Sequence, residues 1–312
     1  MNRFDVVIIG GGAAGLSAAL VLGRARRTVL VVDAGAPRNG PAAHMQGFLS
    51  RDGLRPADLL AAGRAEVAGY GGQVVTDTVT GVTASAGTGF AVNLAACGQV
   101  LARRLLVATG LRDEIPDIPG LRERWGRDVL HCPYCHGWEV RDQQLGVIAD
   151  GSPETVRYTH IVRQWTDDLL VFVPAGNLTE AQRQGLAARR VGIVEAGVDR
   201  VLVKDDRLTG VKLADGEVIR RDALFVPPRF VPNDALLAAL GADLTRDGWV
   251  ITSPDGRTSV PGVWAAGNVT NPRAQVITAA GEGSAAAISI NASLTEQDLA
   301  EAIAASQQVM AS

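Results

Sequence analysis

The chain has 312 residues, enough for two domains of ordinary size, with a net charge of −3, 47% hydrophobic residues and 4% aromatics. That balance gives no basic footprint for nucleic acid, and the sparse aromatics and scattered charges argue against a membrane-surface role. Three cysteines cannot build a disulfide framework, and with no readable secretory segment they suit a reducing cytoplasm.

Residues 4–9 are a short β-rich run of the buried-strand type. They run into Gly10-x-Gly12-x-x-Gly15, and a helical pattern follows from Ala13 to about Arg24. Residues 28–33 form a second buried strand that ends in Asp33. The uncharged run 6–23 brushes the length of a membrane span, but four glycines interrupt it, so strand, turn and helix describe it better. Strand, glycine triplet, helix, strand and acid at this spacing make a dinucleotide fingerprint in its confirming context. The first glycine allows the tight turn, the second lets backbone approach a pyrophosphate, and the third lets helix pack on strand. Gly10, Gly12, Ala13, Ala14 and Gly15 are therefore cofactor-binding candidates, with Asp33 and the adjoining Ala34 at the ribose.

Residues 34–53 are a long connection rich in Gly, Pro, Arg and Asn. Arg38, Asn39, His44 and Gln46 are its polar candidates for wrapping a cofactor. Residues 56–68 have a helical pattern, and residues 73–100 look like a small antiparallel meander with Cys97 in a turn. Residues 105–108 form another buried strand ending in Thr109-Gly110, which places backbone near the cofactor. Residues 115–120 are a proline-punctuated linker and mark a domain boundary.

The stretch His131-Cys132-Pro133-Tyr134-Cys135-His136 follows. Two thiols two residues apart, flanked by imidazoles, suit a disulfide that is easily opened and a thiolate that is easily formed. That is the layout of a redox-active pair. Haem attachment would call for an export signal, and zinc would call for a second ligand pair, so no metal is expected. Two inert buried cysteines are the bland reading of the same stretch.

Residues 144–148 form a buried strand that opens a second α/β unit. Its turn, Ala149-Asp150-Gly151-Ser152-Pro153-Glu154, is a damaged fingerprint. Asp150 and Glu154 bring negative charge to the place of a pyrophosphate, and Pro153 removes a backbone donor. No arginine cluster follows the next strand, 169–173, so the sequence argues against tight NADPH binding. Further β-rich runs end at a second proline-marked crossing near 229–233. The tail holds a turn and strand through Val263-Trp264-Ala265-Ala266-Gly267-Asn268. A helix of small residues is expected over 278–291, and Ser293 to Glu296 should cap a separate final helix running to about Met310.

Together these pieces resemble the low-molecular-weight thioredoxin reductase-like flavoproteins, within the FAD-dependent pyridine nucleotide-disulfide oxidoreductases. The resemblance rests on the Gly10 to Gly15 turn with Asp33, Thr109-Gly110, the cysteine pair, and residues 263–268. It implies an α/β fold of two Rossmann-like, three-layer ββα dinucleotide-binding domains, the second inserted into the first. The FAD domain would span 1–115 and 234–312, and the inserted domain 116–233. FAD would be held by the glycine turn and by Gly267 and Asn268 on its ribityl chain. Gln275 and Val276 would lie at a helix N-terminus by the flavin pyrimidine edge. Cys135 would be the flavin-proximal thiol and Cys132 the exchanging one, with His136, or His131, moving protons. A homodimer is expected.

Three departures stand out: His136 follows the second cysteine where an acid is usual, Asn268 replaces the usual Asp, and the nicotinamide turn is degraded. The Cys-Pro-Tyr-Cys-His-Gly form resembles the branch containing the gliotoxin and holomycin dithiol oxidases. That likeness implies oxidation of a small-molecule dithiol with molecular oxygen. The alternatives are an NADPH-dependent thioredoxin or disulfide reductase, and a flavin-linked redox sensor without turnover.

Overall fold

The computed structural model describes residues 2–85 and 89–311. Chain order begins β1 (Arg3–Ile9), α1 (Ala13–Arg24), β2 (Val29–Asp33), α2 (Pro56–Gly69), β3 (Gln73–Thr76), β4 (Val79–Ser85), β5 (Gly89–Leu94) and β6 (Gly98–Val107). Val6, Val7 and Ile8 of β1 are fully buried, as a central parallel strand covered on both faces requires. β1 lies between β2 and β6, with Val7 beside Leu30 on one side and Leu105 on the other. The sheet order is β3-β2-β1-β6-β5-β4.

Two expectations are corrected here. Residues 73–76 do not join the meander; they form β3, parallel to β2, because Val74 and Val75 pack on the sheet core. The end of the expected meander and the run expected at 105–108 belong to one ten-residue strand, β6, which stops at Val107. Its first half pairs antiparallel with β5 and its second half parallel with β1, so one strand serves both the meander and the nucleotide-type sheet.

β7 (Leu111–Glu114) leaves this unit, and β16 (Arg229–Pro232) returns to it. They pair antiparallel, Arg229 opposite Glu114 and Pro232 opposite Leu111. Between them lie β8 (Val129–Leu130), α3 (Pro133–His136), β9 (Leu145–Ile148), α4 (Pro153–Val162), β10 (Leu169–Phe172), α5 (Glu180–Ala188), β11 (Gly192–Val194), β12 (Val198–Lys204), β13 (Arg207–Leu213), β14 (Val218–Arg220) and β15 (Ala223–Phe225). Five of these strands form a parallel sheet in the order β11-β10-β9-β15-β8, and β12-β13-β14 form an antiparallel meander beside it. The second unit thus repeats the plan of the first.

The tail adds α6 (Ala235–Ala239), unforeseen in the sequence, then β17 (Val263–Ala265) and α7 (Val276–Ala311). β17 pairs parallel with β6, Trp264 beside Leu106. α7 is one helix of 36 residues, not two. The expected capping groups are spent otherwise: the Ser293 hydroxyl accepts from Arg104 Nε, and the Thr295 hydroxyl donates back to the Asn291 carbonyl. α7 packs on α1 so closely that a Cβ on Gly283 would lie 2.0 Å from the Ala14 carbonyl oxygen.

Candidate active site

The first βα turn sits at the carboxyl ends of the parallel strands, the usual ligand crevice of such sheets. Gly10 has φ +111°, and a Cβ there would meet the Ala108 carbonyl oxygen at 2.3 Å. A Cβ on Gly15 would lie 1.9 Å from the Gly10 carbonyl oxygen, so only glycine lets α1 seat on β1. At Gly12 the opposite holds: nothing lies within 4 Å of a Cβ. Gly12 is also the N-cap of α1 and gives it no side-chain cap. The turn through Ala13 and Ala14 therefore presents uncapped N–H donors to open space, as a pyrophosphate cradle must.

Asp33 lies beside it at the end of β2. Its Oδ1 accepts from the Gly35 amide at 3.2 Å, across Ala34, and its Oδ2 accepts from Arg64 at 2.5 Å. Arg64 is a partner the sequence did not disclose, because it lies 31 positions further on with no local signal.

Three further segments converge on the same strand ends. Thr109 and Gly110 lie just past the end of β6 and are tied to the returning chain: the Thr109 hydroxyl donates to the Asn233 carbonyl, and Asn233 Nδ2 donates to the Thr109 carbonyl. Gly267 has φ +78° and donates its amide to Glu282 Oε2. Asn268 donates Nδ2 to the carbonyls of both Asn271 and Ala274, at 2.9 Å each. An ionised aspartate has no such donor, so the local backbone explains the departure at this position. Asn268 Oδ1 is left to accept from a ligand hydroxyl. Gln275 and Val276 begin α7, and Gln275 Oε1 lies 3.2 Å from the place of a Gly47 Cβ. These residues fit a flavin dinucleotide laid from Gly12 to the start of α7.

The long connection is folded rather than merely solvated. Met45 is buried and exchanges backbone hydrogen bonds with Leu54 and Gly53. His44 is exposed and Asn39 half-buried, and neither has a side-chain hydrogen bond among the described residues. Gln46 reaches across to the second unit and donates to Glu139 at 3.0 Å. Arg38 also reaches out of the connection. Its Nε and one terminal nitrogen clasp Asp113 at 2.9 and 2.7 Å, and the latter also reaches His131 Nε2 at 3.1 Å.

Cys132 and Cys135 form a disulfide, with Cα atoms 5.2 Å apart. Cys132 is the N-cap of the single turn α3, Pro133 is its first residue, and the amides of Cys135 and His136 both turn back to the Cys132 carbonyl. Gly137 follows because a Cβ there would strike the Trp165 ring at 2.6 Å. The Tyr158 hydroxyl, deep in the unit, donates to the His131 carbonyl at 2.6 Å and fixes the chain just before Cys132.

The two imidazoles differ. Arginine only donates, so His131 Nε2 is the acceptor and its proton sits on Nδ1. Burial, aided by the Arg38 charge, lowers its pKa to about 4, so this ring is neutral. It is stacked on Trp125 and edged by Phe230. His136 is also lowered by burial, with Glu139 opposing, but it has no side-chain hydrogen bond among the described residues. It is the imidazole with free nitrogens.

The second βα turn is filled. Asp150 Oδ1 accepts from the Ser152 amide at 2.9 Å and from the Thr155 hydroxyl at 2.7 Å. Ser152 caps α4 by accepting from the Thr155 amide. Burial pushes the Asp150 carboxyl up, but the Ser152 and Thr155 bonds outweigh it and hold it below its ordinary value. Two strands further on, just past β11, Glu195 takes Arg183 and the Gly176 amide, which lower it to about 2.

A nucleotide cradle on one unit and a cysteine pair on the other define a disulfide oxidoreductase of the flavin-dependent kind. The chain belongs to the pyridine nucleotide-disulphide oxidoreductase family, whose model matches residues 4–157 and 167–283. It is similar to thioredoxin reductase sirT of Leptosphaeria maculans, 31% identical over 95% of this chain and 96% of that protein. It is 32% identical to thioredoxin reductase tcpT of Claviceps purpurea, over 86% of this chain and 87% of that one. Among solved structures, HlmI superposes with a TM-score of 0.95 at 53% identity, covering 99% of this chain and 98% of HlmI. The protein is a thioredoxin reductase-like flavoprotein enzyme with a redox-active disulfide.

Proposed function

We propose that this flavoprotein oxidises a small-molecule dithiol to its disulfide through Cys132 and Cys135, with molecular oxygen as the final acceptor. The observation that carries this reading is the filled second turn. A reductase needs electrons from a nicotinamide, and the turn expected to take its phosphates is here tied up by the Asp150 carboxylate and the Ser152 cap, which supports the oxidase reading. The half-buried cysteine pair is the remaining way in.

A substrate thiolate attacks Cys132 and releases Cys135 as a thiolate. The second substrate thiol then displaces Cys132, giving the product disulfide and two protein thiols. His136, neutral because burial lowers its pKa, accepts a substrate thiol proton and returns it to the cysteine pair. His131 does not compete for that role, since its Nε2 is taken by Arg38. FAD, when bound, takes two electrons from the thiol pair and passes them to oxygen, yielding hydrogen peroxide. Gly10 to Gly15 would hold its pyrophosphate, Asp33 and Ala34 its ribose, and Gly267 and Asn268 its ribityl chain. Thr109, Gly110, Gln275 and Val276 would line the ring, with Asn39 and His44 over it. In this reading the protein is a cytoplasmic homodimer with no nucleic-acid or membrane partner.

The second reading is an NADPH-dependent disulfide reductase, which the names of the relatives favour. Anaerobic stopped-flow absorbance decides between them. Fast flavin bleaching by dithiothreitol, none by NADPH, and reoxidation in air support the oxidase. Fast bleaching by NADPH overturns it. Peroxide release on each turnover excludes a redox sensor without turnover.

A further inference from the structure

We propose that Arg38 is a positioning residue that latches the cysteine-bearing unit onto the flavin unit, through Asp113 and His131. Its guanidinium touches three other segments of the chain. It belongs to the long connection of the first unit. It clasps Asp113 in β7, the outgoing strand, through two nitrogens at 2.9 and 2.7 Å. It lies over the ring of Phe230 in β16, the returning strand, 5.2 Å from its centre. It donates to His131 Nε2, one residue before Cys132, at 3.1 Å.

Such a joint is needed because the covalent connection is slight. Only β7 and β16 carry the chain between the two sheets, as a ribbon of four residue pairs. A two-stranded ribbon is a natural hinge. Arg38 sits across it with its side chain 26% exposed and Asp113 only 10% exposed, so solvent screens the pair little. The fixed fork of a guanidinium suits one carboxylate and one imidazole at once, which an ammonium cannot match. His131 is gripped from its other sides too, stacked on Trp125 with ring centres 5.7 Å apart and anchored through its carbonyl by Tyr158. The grip therefore passes directly to the backbone of Cys132. The Gln46–Glu139 hydrogen bond is a second, more exposed tie on the far side of the pair. With both closed, the cysteine pair is held at one setting relative to the flavin site. Arg38 is then a latch rather than a cofactor ligand.

This inference rests on the proposed electron path for its kinetic consequence but not for its structural one, and two readouts separate them. In the FAD-loaded full-length protein, Arg38→Met should leave flavin content unchanged. It should raise the rate of limited proteolysis in the linker 115–120 severalfold. Anaerobic flavin bleaching by dithiothreitol should slow at least about tenfold, while disulfide exchange at Cys132, followed by mixed-disulfide formation with a small thiol, keeps its rate. Arg38→Lys should fall between. Arg38→Met alone leaves Asp113 unpaired and could unfold; the double variant Arg38→Met/Asp113→Leu removes both charges and should show the same slow bleaching in a folded protein. Normal bleaching and normal proteolysis in the double variant overturn the latch. Loss of flavin without faster linker cleavage also overturns it, and returns Arg38 to the cofactor. If the unaltered protein is not bleached by a dithiol, the functional reading fails, and the proteolysis comparison still tests the latch.

Discussion

The molecule contains the same strand-turn-helix twice, and the two copies have opposite fates. At the first turn α1 begins with Gly12, a residue that caps nothing and has empty space where a side chain would be. At the second turn α4 begins with Ser152, whose hydroxyl accepts from the Thr155 amide, and Asp150 spends its carboxylate on the Ser152 amide and the Thr155 hydroxyl. Gly151 survives there with φ +88°, but a Cβ on it would run into the Asn177 carbonyl oxygen at 2.6 Å, not into a ligand cleft. A helix N-terminus needs an anion or a cap. One copy leaves the place for a phosphate, and the other supplies the anion from its own chain. A surviving glycine is thus a poor guide to a surviving site unless the space beside it is known.

The comparison can be broken in several ways. The largest effect should come from Cys132→Ser, which leaves flavin bound but slows bleaching by dithiothreitol on the order of a thousandfold. If NADPH then bleached the flavin, the second turn would be functional after all. A control outside both turns comes from His131, whose folded-state pKa is depressed from 6.5 to about 4. The unfolded chain binds its proton first, so stability is full above pH 6.5 and falls as pH drops toward 4, by at most about 3 kcal/mol. Denaturation curves of His131→Gln should lack that slope, and an equal slope would refute a buried neutral ring. Gly12→Leu puts a side chain into the cradle and should weaken FAD binding by about a hundredfold, roughly 2.7 kcal/mol, with little loss of fold. Unchanged flavin retention would show that the space is not the cofactor's. Gly151→Ala should do the reverse, costing about 1–3 kcal/mol of stability from strain while flavin content stays normal. Smallest is Asp150→Gly, which should permit weak, saturable NADPH quenching of tryptophan fluorescence that the unaltered protein lacks. Pro153 still withholds a donor, so only a few-fold gain over background is expected.

Much of this was legible in the sequence because it is local. The glycine turn with Asp33, the cysteine pair and the damaged second turn each lie within about thirty residues, where spacing carries geometry. The fold came from the family resemblance that these motifs carry. What escaped is what the tertiary structure brings together. Arg38 reads as a polar residue in a cofactor loop, and nothing in its neighbourhood points to Asp113, 75 residues on, or to His131, 93 residues on. Glu282 supports the Gly267 turn from within a helix of small residues, where one acid gives no signal. The false break in α7 arose because Ser293 and Thr295 are good caps in isolation, and their use by Arg104 and Asn291 shows only in three dimensions. In the sequence Asn268 stands only as a departure from the usual Asp. Its amide serves two carbonyls, so the residue meets a backbone demand that an aspartate could not.

The placement of β17 and α7 has a consequence for how the protein is made. Trp264, Ala286, Ala287, Ile290 and Leu294 sit in the same buried cluster as Val6, Ile8 and Leu22. The first half of that core cannot close until the last part of the chain has been synthesised. The parallel sheet of the second unit, by contrast, draws all its strands from residues 129–225. On the ribosome that unit can finish folding while the first still waits for its final strand and helix. The sheet that carries the cysteine segment can therefore form before the first core closes, while the contacts from Arg38 and Gln46 wait for the two units to meet.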